Sequence, residues 1–559
     1  MAALEFTPVV ISTPPDFPVE WASPEDEKLP LTQDRQHAPS VITPLSGWVC
    51  EEYWGTGSTR GFAAAGQPIE ILIKRINAYY YYAAFPRVAP EDMEAAGKHA
   101  EETVKALIPT YADRWENEWL PELKGYHRTW DSFDLAGASD DDLLAHLEWT
   151  FETYVRIWDI HMEVTVGYMT APSMFDDLYE DLFGSEHALD SYTLLQGFEN
   201  ASLKAAAELW SIANTDMSDE LRSLILKTPS TDLVSTLNSS QSGNEFLARL
   251  RTYLGEYGKR SDNIVELMDP SWVEDPTIAF DNLKNYLDDG AEDPDVHRDR
   301  LVTEREKAVA GARDKLSAYP APIQEQFEGL LSSAQHGHRI QEDHNWWIDQ
   351  MGTHQVRHVF LEFGRRLAAS GAIGHRDDIF FLLGNEIKDE ISSYSASDFS
   401  ETIAQRKTYV DKWSKVPAPV HLGTDYGPRP DGPYSRALGR FFGGSPPPAD
   451  PGRPDVIKGF PGSPGKFTGT ARVIIKLSDA GRLGKGEILV TPTTAPPWTP
   501  LFATAGGIVT DTGGPLSHCA IVAREYGLPA VVGTGMATSV IQDGQQIEVN
   551  GDSGEVRVI

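Results

Sequence analysis

The chain has 559 residues and 41% of them are hydrophobic, which is enough for several folded domains with buried cores. It carries 48 Lys and Arg against 83 Asp and Glu, a formal net charge of −35. Such a charge repels nucleic acid and anionic membrane surfaces, so neither is expected as a partner. Two cysteines, Cys50 and Cys519, do not make a disulfide framework. Without a signal-like N-terminus or a long apolar run, the protein is expected to be cytoplasmic.

The first 90 residues differ from the rest in composition. Residues 1–45 are rich in proline and acidic residues and are predicted to form an extended N-terminal arm. Residues 46–90, which include four consecutive tyrosines from Tyr79, are expected to form an aromatic lobe of short strands or irregular chain. The string from Gly55 to Gly61 lacks the Gly-Lys-Ser/Thr ending of a phosphate-binding loop. We interpret it as a glycine-rich turn rather than a nucleotide site.

The middle of the chain has mostly helical periodicity. Together with the aromatic lobe it is predicted to form a mainly helical acceptor-binding domain over residues 46–416. Ser139 and Ser218, each followed by acidic residues, have the character of helix N-caps. The strongest helical segments are 141–160, 203–213, 243–257, 299–318 and 334–370.

The composition changes again after residue 416. Residues 417–457 are rich in proline and glycine and are predicted to form a linker. Residues 458–559 read as short strands between turns, with one helix after His518, which indicates a compact α/β domain. The predicted fold class is therefore a mainly α-helical substrate domain followed by a small α/β domain.

The segment from Thr510 to Gly533 is the most informative part of the chain. It places His518 directly after a Gly-Gly turn and a serine, at the start of a predicted amphipathic helix. A neutral imidazole is a nucleophile, and a helix N-terminus favours anions because its first N–H groups lack partners within the helix. A histidine at this position can therefore accept and hold a phosphoryl group.

This C-terminal segment resembles the phosphohistidine swivelling domain of the phosphoenolpyruvate-utilising enzymes. The resemblance implies that His518 is the phosphorylated residue and that a phosphohistidine is the reaction intermediate. It also implies that Gly513, Gly514 and Ser517 shape the loop, with Thr512 and Ser517 holding the phosphate or the ring. Arg524 is interpreted either as a phosphate ligand or as a structural salt-bridge residue.

The helical region resembles the substrate-binding domain of rifampin phosphotransferase-like proteins, through strings such as 194–200, 268–276 and 339–366. Lys259 departs from the pattern, since the family usually has histidine there. Full-length members carry an ATP-grasp domain that has no counterpart in these residues. The resemblance therefore implies that ATP and Mg²⁺ are bound by a separate ATP-grasp subunit, as in two-component phosphotransferases of phenolic hydroxyls such as phenylphosphate synthase.

A hydroxyl acceptor requires an apolar pocket, a general base and positive charge near the phosphate. His344 is the first candidate for the base and His161 the second. His354 and His358 are further candidates for the base or for binding the acceptor. They share a helix face, but without an evident third ligand no metal site is predicted. The other candidates for contacting the acceptor or the phosphoryl group are Trp54, Arg60, Trp158, Lys259, Arg339, Glu342 and Trp347.

These observations predict a phosphotransferase subunit that transfers a phosphoryl group from His518 to a hydroxyl of a small aromatic acceptor, such as a phenol or hydroxyaryl ketone. A second hypothesis is a non-catalytic small-molecule-binding or regulatory protein that retains the swivelling domain. A third is direct use of phosphoenolpyruvate as the donor, although the family binds it in a separate barrel domain. The sequence leaves the acceptor's identity and the oligomeric state open.

Overall fold

The computed structural model describes residues 8–184, 189–215, 217–287, 293–393, 397–427, 432–444, 446–448 and 451–559. It confirms the predicted fold class, because a large helical region precedes a small α/β domain. The α-helices are α1 (Pro44–Val49), α2 (Gly55–Ala64), α3 (Met93–Leu107), α4 (Tyr111–Arg114), α5 (Leu120–Ser132), α6 (Asp140–Phe183), α7 (Asp190–Thr193), α8 (Ala201–Asn214), α9 (Asp219–Lys227), α10 (Leu233–Leu237), α11 (Gln241–Tyr257), α12 (Thr277–Leu287), α13 (Pro294–Leu316), α14 (Ala321–His344), α15 (Met351–Ser370), α16 (Gly384–Ser393), α17 (Ser400–Trp413), α18 (Pro433–Phe442), α19 (His518–Glu525) and α20 (Ala537–Val540).

Three helix pairs are joined by short π-helical segments, at Cys50–Trp54, Trp115–Trp119 and Asn345–Gln350. The strands are β1 (Val9–Val10), β2 (Pro30–Gln33), β3 (Ile69–Ile76), β4 (Tyr79–Pro86), β5 (His421–Asp425), β6 (Val456–Lys458), β7 (Phe460–Ser463), β8 (Lys466–Val473), β9 (Ile488–Thr491), β10 (Gly507–Thr510), β11 (Ala530–Val532), β12 (Gln546–Asn550) and β13 (Glu555–Val558).

Helix α6 is the backbone of the helical region. Ser139 caps it by accepting a hydrogen bond from the backbone N–H of Asp142, as the Ser-Asp-Asp string predicts. Its apolar positions are buried against α2, α14 and α18. The predicted helix over 334–370 is part of the continuous run from α14 through the π-helical turn to α15.

The Gly55–Gly61 string is part of helix α2, so its interpretation as a glycine-rich turn was wrong. Its glycines allow α2 to approach α6 closely. A Cβ added at Gly61 would lie 2.2 Å from the carbonyl oxygen of Asp159, so any side chain there would push the two helices apart. The string is therefore a helix-packing surface.

The predicted arm and linker pair with each other in a five-stranded antiparallel sheet of order β1-β5-β2-β4-β3. Strands β1 and β2 come from the predicted arm, and β5 comes from the predicted linker, which also forms α18. Composition suggested extended, unpaired chain for both segments. The edge of the tyrosine-rich hairpin β3–β4 provides the pairing partner that composition alone does not reveal.

The C-terminal domain contains an eight-stranded sheet of order β6-β13-β12-β8-β9-β10-β11-β7. Strands β8 to β11 are adjacent and parallel, and α19 connects β10 to β11. The loop that precedes α19 therefore leaves the carboxyl end of a buried strand, where functional loops of parallel sheets gather. No helix within the described ranges combines the length and apolar character needed to cross a membrane.

Candidate functional site

His518 begins helix α19 and lies buried between the two parts of the molecule, with 5% of its surface exposed. Its Nδ1 lies 3.0 Å from the hydroxyl of Thr494, and its Nε2 lies 3.4 Å from the hydroxyl of Thr499. Burial lowers the pKa of His518 to about 3, so the imidazole is neutral at physiological pH. A neutral, oriented imidazole is the form that can act as a nucleophile.

The predicted loop residues play structural roles around this ring. Ser517 caps α19, because its hydroxyl accepts a hydrogen bond from the backbone N–H of Ala520 at 3.4 Å. Thr512 donates its hydroxyl hydrogen to the carbonyl oxygen of Pro492 at 3.1 Å. The hydroxyl groups that contact the ring therefore belong to Thr494 and Thr499, and not to Thr512 and Ser517 as predicted.

The Gly-Gly loop docks onto the C-terminal end of α18. The backbone N–H of Gly514 donates to the carbonyl oxygen of Phe441 at 2.9 Å, and that of Leu516 donates to the carbonyl oxygen of Arg440 at 3.0 Å. A Cβ at Gly514 would lie 2.2 Å from the Arg440 carbonyl oxygen. The loop thus uses otherwise unpaired carbonyl groups at a helix end, and only glycine permits this approach.

The Nε2 side of His518 faces the helical region. Oε2 of Glu342, on α14, lies 3.8 Å from this nitrogen. Glu342 is 2% exposed and accepts a hydrogen bond from the hydroxyl of Ser202 at 2.7 Å. Burial raises the pKa of its carboxyl to about 7, so the group can be protonated beside the imidazole near neutral pH.

One cavity joins His518 to the helical region. Its wall is aromatic and apolar on one side and carries histidines and carboxyl groups on the other. The apolar wall includes Trp54, Phe62, Tyr80, Trp158, Met162, Met169, Tyr434, Phe441 and Phe442. The polar wall includes Asp34, His37, His161, Tyr168, Gln341, Glu342, His344, Asn345, Asp349 and Thr494. Within the part of the chain that the structure describes, no lysine or arginine lines this cavity.

The two candidate bases lie together in the cavity, and Asp349 lies with them. Oδ1 of Asp349 is 3.0 Å from Nδ1 of His161, although neither atom has a hydrogen bond of good angular geometry. Burial alone would raise the pKa of Asp349, but the contact with His161 outweighs it and holds the pKa below its usual range. Asp349 is therefore an ionised partner that orients His161.

His344 is less suited to proton transfer than His161. Its Nδ1 lies 3.1 Å from the carbonyl oxygen of Ile340, and its Nε2 lies 3.3 Å from the hydroxyl of Tyr168. Burial and the neighbouring His161 lower its pKa to about 4. Both ring nitrogens of His344 are already engaged. The geometry therefore favours His161 over His344 as the base, which is the opposite of the predicted preference.

A second Asp–His pair lies in the predicted N-terminal arm, which sequence reasoning did not connect with the site. Nδ1 of His37 is 2.8 Å from Oδ2 of Asp34. Burial by itself lowers the pKa of His37, but Asp34 outweighs it, with a smaller contribution from Asp349, and raises the pKa above its usual value. The Asp34 carboxylate therefore favours the protonated form of His37.

Several predicted contacts lie outside the cavity. Arg60 is exposed on α2, and Lys259 pairs with Asp131 at 2.7 Å. Arg339 pairs with Glu116. Trp347 lies beside His127, whose Nε2 is 2.7 Å from the Trp347 carbonyl oxygen. These side chains were predicted from charge or ring type alone, which does not indicate the face of the helix that meets the cavity.

Arg524 is a structural residue. It is buried, donates to the carbonyl oxygen of Gly462 at 2.6 Å, and lies 4.7 Å from the ring centre of Tyr192. Burial lowers its pKa to about 10. The neighbouring Glu525 accepts hydrogen bonds from the backbone N–H of Gly197 at 2.9 and 3.1 Å. Together these residues help to hold the C-terminal domain against the helical region.

Two groups among the described residues have ligand types and spacing that could suit a metal ion. In one, His354 and His358 approach Glu274, a third residue that sequence spacing could not reveal. Arg357 already binds both carboxylate oxygens of Glu274, which opposes a cation there. The other group is His161, His344 and Asp349 inside the cavity. Its ligand types are compatible with a divalent ion.

Comparison with known families agrees with this arrangement. Residues 483–554 match the mobile domain of PEP-utilising enzymes, and residues 161–342 match the fourth domain of rifampicin phosphotransferase. This chain carries both domains. The matches confirm the resemblance read from the His518 segment and from the helical region. His518 lies within the matched mobile domain, and Glu342 lies within the matched fourth domain.

Three curated relatives illustrate the extent of the similarity. A chondramide synthase of Chondromyces crocatus is 35% identical over 98% of this chain, which spans 14% of that protein. A phosphotransferase of Bacillus subtilis, YvkC, is 28% identical over 82% of this chain and 54% of its own length. A rifampicin phosphotransferase of Streptomyces sviceus is 27% identical over 76% of this chain and 48% of its own length. The chain thus spans about half or less of these relatives.

Sequence reasoning missed Asp34, His37, Asp349, Thr494 and Thr499 as site residues. Thr494 lies within the predicted α/β domain but 24 residues before His518, and spacing along the chain does not connect its hydroxyl with the ring. Asp349 follows His344 by five residues in the same helical run. The Asp34–His37 spacing alone gives no signal, because such a pair in a polar segment is usually a local turn contact.

Proposed function

We propose that this chain is a phosphotransferase unit that carries a phosphoryl group on His518 and transfers it to a hydroxyl of a small aromatic acceptor in the cavity. The observation that carries the proposal is the position of His518, whose neutral imidazole opens into the same cavity as the Asp349–His161 pair. The names of two relatives, YvkC and the rifampicin phosphotransferase, support a phosphotransferase.

The reactive atom is Nε2 of His518. Thr494, which belongs to the same C-terminal domain, contacts Nδ1 at 3.0 Å and remains with the ring when that domain moves. Nε2 faces Glu342 of the helical region at 3.8 Å. Transfer breaks the bond between phosphorus and Nε2 and forms a bond between phosphorus and the acceptor oxygen.

The hydroxyl proton of the acceptor goes to His161. Asp349 holds Nδ1 of His161 and stabilises the imidazolium that forms, which is the usual role of a carboxylate behind a catalytic histidine. No hydrogen bond from a described residue engages Nε2 of His161, so this nitrogen is available to the proton.

The acceptor is an aromatic compound without an acidic group. Trp54 and Trp158 form a stacked pair with ring centres 3.8 Å apart, and together with Tyr434 they contribute to a broad apolar wall. Burying a carboxylate in this cavity would cost several kcal/mol, since no lysine or arginine among the described lining residues offsets its charge and His37 is already paired with Asp34. We therefore expect phenols or hydroxyaryl ketones to be accepted and their carboxylated analogues to be rejected.

Loading of His518 requires the C-terminal domain to leave the cavity. Helix α14 and the end of α18 cover His518 in the docked arrangement, so an ATP-binding unit needs another position of this domain. We propose that the domain swivels on the proline-rich stretch between α18 and β6. The donor is ATP with Mg²⁺, bound by an ATP-grasp subunit.

The test is intact-mass spectrometry at neutral pH, because phosphohistidine is labile in acid. The protein is mixed with MgATP and the candidate ATP-grasp subunit, and then with 2-naphthol or with a hydroxynaphthoate of the same ring size. We expect one phosphoryl group on His518 that 2-naphthol discharges and the hydroxynaphthoate leaves in place.

Each alternative gives a different result in this experiment. Absence of phosphoprotein with an ATP-grasp subunit shown to be active would overturn the carrier role and favour a non-catalytic binding protein. Phosphorylation by phosphoenolpyruvate with release of pyruvate would identify a different donor. Equal discharge by both acceptors would contradict the proposed acceptor class while leaving the carrier role intact.

A further inference from the structure

Phosphoryl transfer requires positive charge around the oxygens of the transferring group. Enzymes usually supply it from arginine, lysine or a metal ion. The predicted clamps Arg60, Lys259 and Arg339 lie outside the cavity and, except for the exposed Arg60, pair with acids elsewhere. Among the described residues that line the cavity, histidine is the residue type that can carry a positive charge. A histidine is therefore the side chain that can supply this charge from within the cavity.

His37 is the lining histidine best prepared to carry this charge. Asp34 holds its Nδ1 at 2.8 Å. The other oxygen of Asp34 accepts hydrogen bonds from the backbone N–H groups of Gln36 at 3.0 Å and His37 at 2.9 Å. The carboxylate is thus locked within its own turn, and the imidazole is fixed relative to it. Such a preorganised pair keeps its charge and its direction without reorganising during the reaction.

His37 is connected through Phe442 to the loop that precedes His518. Its ring lies edge-on to Phe442, with ring centres 6.5 Å apart. The carbonyl oxygen of Phe442 in turn accepts a hydrogen bond from the backbone N–H of Gly513. His37 therefore lies on the wall where the phosphohistidine loop docks, and it lines the same cavity as His518.

The other histidines of the cavity are committed to different partners. Both ring nitrogens of His344 are engaged by Ile340 and Tyr168, and its pKa of about 4 keeps it neutral. His161 is the proposed proton acceptor, so it must be neutral when transfer begins. His37 has its own carboxylate and no proton to exchange in the proposed step.

We propose that His37, held by Asp34, forms the phosphoryl-binding site of the cavity, where its imidazolium binds the oxygens of the phosphoryl group during transfer from His518. This inference rests on the proposed function and adds a residue that neither matched domain contains, since both matches begin after residue 160. His37 remains protonated throughout. The N-terminal segment is then a necessary part of the active site.

The first experiment measures single-turnover discharge of the phosphoprotein by 2-naphthol. His518 is loaded chemically with phosphoramidate, so the measurement does not depend on any partner. The variants are His37→Gln, His37→Lys and Asp34→Asn, and the control is His421→Gln, which changes a histidine outside the cavity in the neighbouring sheet. Binding of 2-naphthol to the unphosphorylated protein is followed by tryptophan fluorescence.

We expect His37→Gln to slow discharge by about 100-fold, as removal of one oxyanion-binding donor does elsewhere. His37→Lys should recover at least about 10-fold of this loss, because it restores positive charge without the imidazole. The discharge rate of Asp34→Asn should lie between the rates of the wild type and His37→Gln. Acceptor binding should change by less than about 2-fold in all variants, and His421→Gln should match the wild type.

Wild-type discharge rates in His37→Gln would overturn the proposal, and so would a His37→Lys variant as slow as His37→Gln with normal acceptor binding.

A second measurement does not need any acceptor. The ³¹P resonance of the phosphohistidine should shift when His37 is replaced, because a cation in contact with the phosphoryl oxygens is lost. An unchanged resonance in His37→Gln and His37→Lys would contradict contact with His37 even if no acceptor discharged the wild type.

Discussion

The C-terminal domain and the acceptor cavity are built in opposite ways. The loop and helix that present His518 are one continuous segment, whose geometry follows from a Gly-Gly turn, a serine cap and a short helix. The cavity instead takes its polar groups from the N-terminal segment, from α6, and from α14 with the π-helical turn that follows it. The carrier is thus defined locally, whereas the acceptor site depends on contacts between distant parts of the chain.

This difference separates two steps of the proposed reaction. Loss of the His518 imidazole should affect both loading and discharge, because the same imidazole takes part in each. Changes in the cavity should affect discharge alone, because the proposed swivel takes His518 out of the cavity for loading by the proposed ATP-grasp subunit. Single-residue variants can therefore assign each residue to one step.

The largest effect is expected for His518→Ala. Without the imidazole no phosphoryl group can be held, so loading and transfer should both fall to background. Intact-mass spectrometry after incubation with MgATP and the ATP-grasp subunit measures loading directly. The free energy of unfolding should fall by about 1–3 kcal/mol, because the lost contacts are two hydroxyl interactions and an edge-on contact with the Phe502 ring. Residual phosphorylation at another residue would contradict the assignment of His518.

The next effect is expected for Gly514→Ala. Its Cβ would meet the Arg440 carbonyl oxygen at 2.2 Å, so the loop could not dock fully onto α18. Displacement by about 1 Å can reduce a rate by about 100-fold. Single-turnover discharge should show this loss while loading remains near the wild-type rate. Gly439→Ala is the matched control on α18, since a Cβ there meets nothing within 4 Å. Equal discharge by the two variants would show that docking does not limit transfer.

A smaller effect is expected on the pH dependence of the free energy of unfolding, through the buried carboxyl group of Glu525. Burial raises its pKa from 4.5 to about 7, so the folded protein retains a proton that the unfolded chain releases. The resulting stability is complete below about pH 4.5 and is lost as the pH rises through 7, with a magnitude of roughly 3 kcal/mol. Glu525→Gln keeps an acceptor for the Gly197 N–H and should flatten this dependence.

Urea unfolding at pH 5, 6, 7 and 8 measures the dependence, with tryptophan fluorescence as the signal. The control is Glu548→Gln, which removes a surface carboxylate that pairs with Arg557. This variant should leave the pH dependence of stability unchanged. An identical slope for Glu525→Gln and wild type would mean that Glu525 is ionised in the docked interface.

The smallest effects are expected for Arg60→Ala and Lys259→Ala. Arg60 is exposed on α2, and Lys259 pairs with Asp131 outside the cavity. Discharge rates should change by less than about 2-fold, as is usual for surface substitutions away from a site. A loss of 10-fold or more in either variant, measured by single-turnover discharge, would mean that another arrangement of the domains brings that cation to the phosphoryl group.

The features that can be read most directly from sequence are those that depend on neighbours in the chain. His518, Gly513 and Gly514 form one string, and the Ser139 cap lies directly before its helix. His161 and His344 were identified as possible bases, but their order was reversed by Asp349 and by the partners of His344. Arg60 and Lys259 were predicted from charge alone, and both lie outside the cavity.

Sequence by itself determined the class of the fold, the position of the phosphohistidine loop and the family resemblance, because each depends on local periodicity or on a continuous motif. Tertiary structure decided that the predicted arm and linker form one sheet, that Glu342 approaches His518, and that two Asp–His pairs share a cavity. These contacts join residues separated by up to several hundred positions. Their formation depends on long-range packing, which composition and spacing along the chain do not specify.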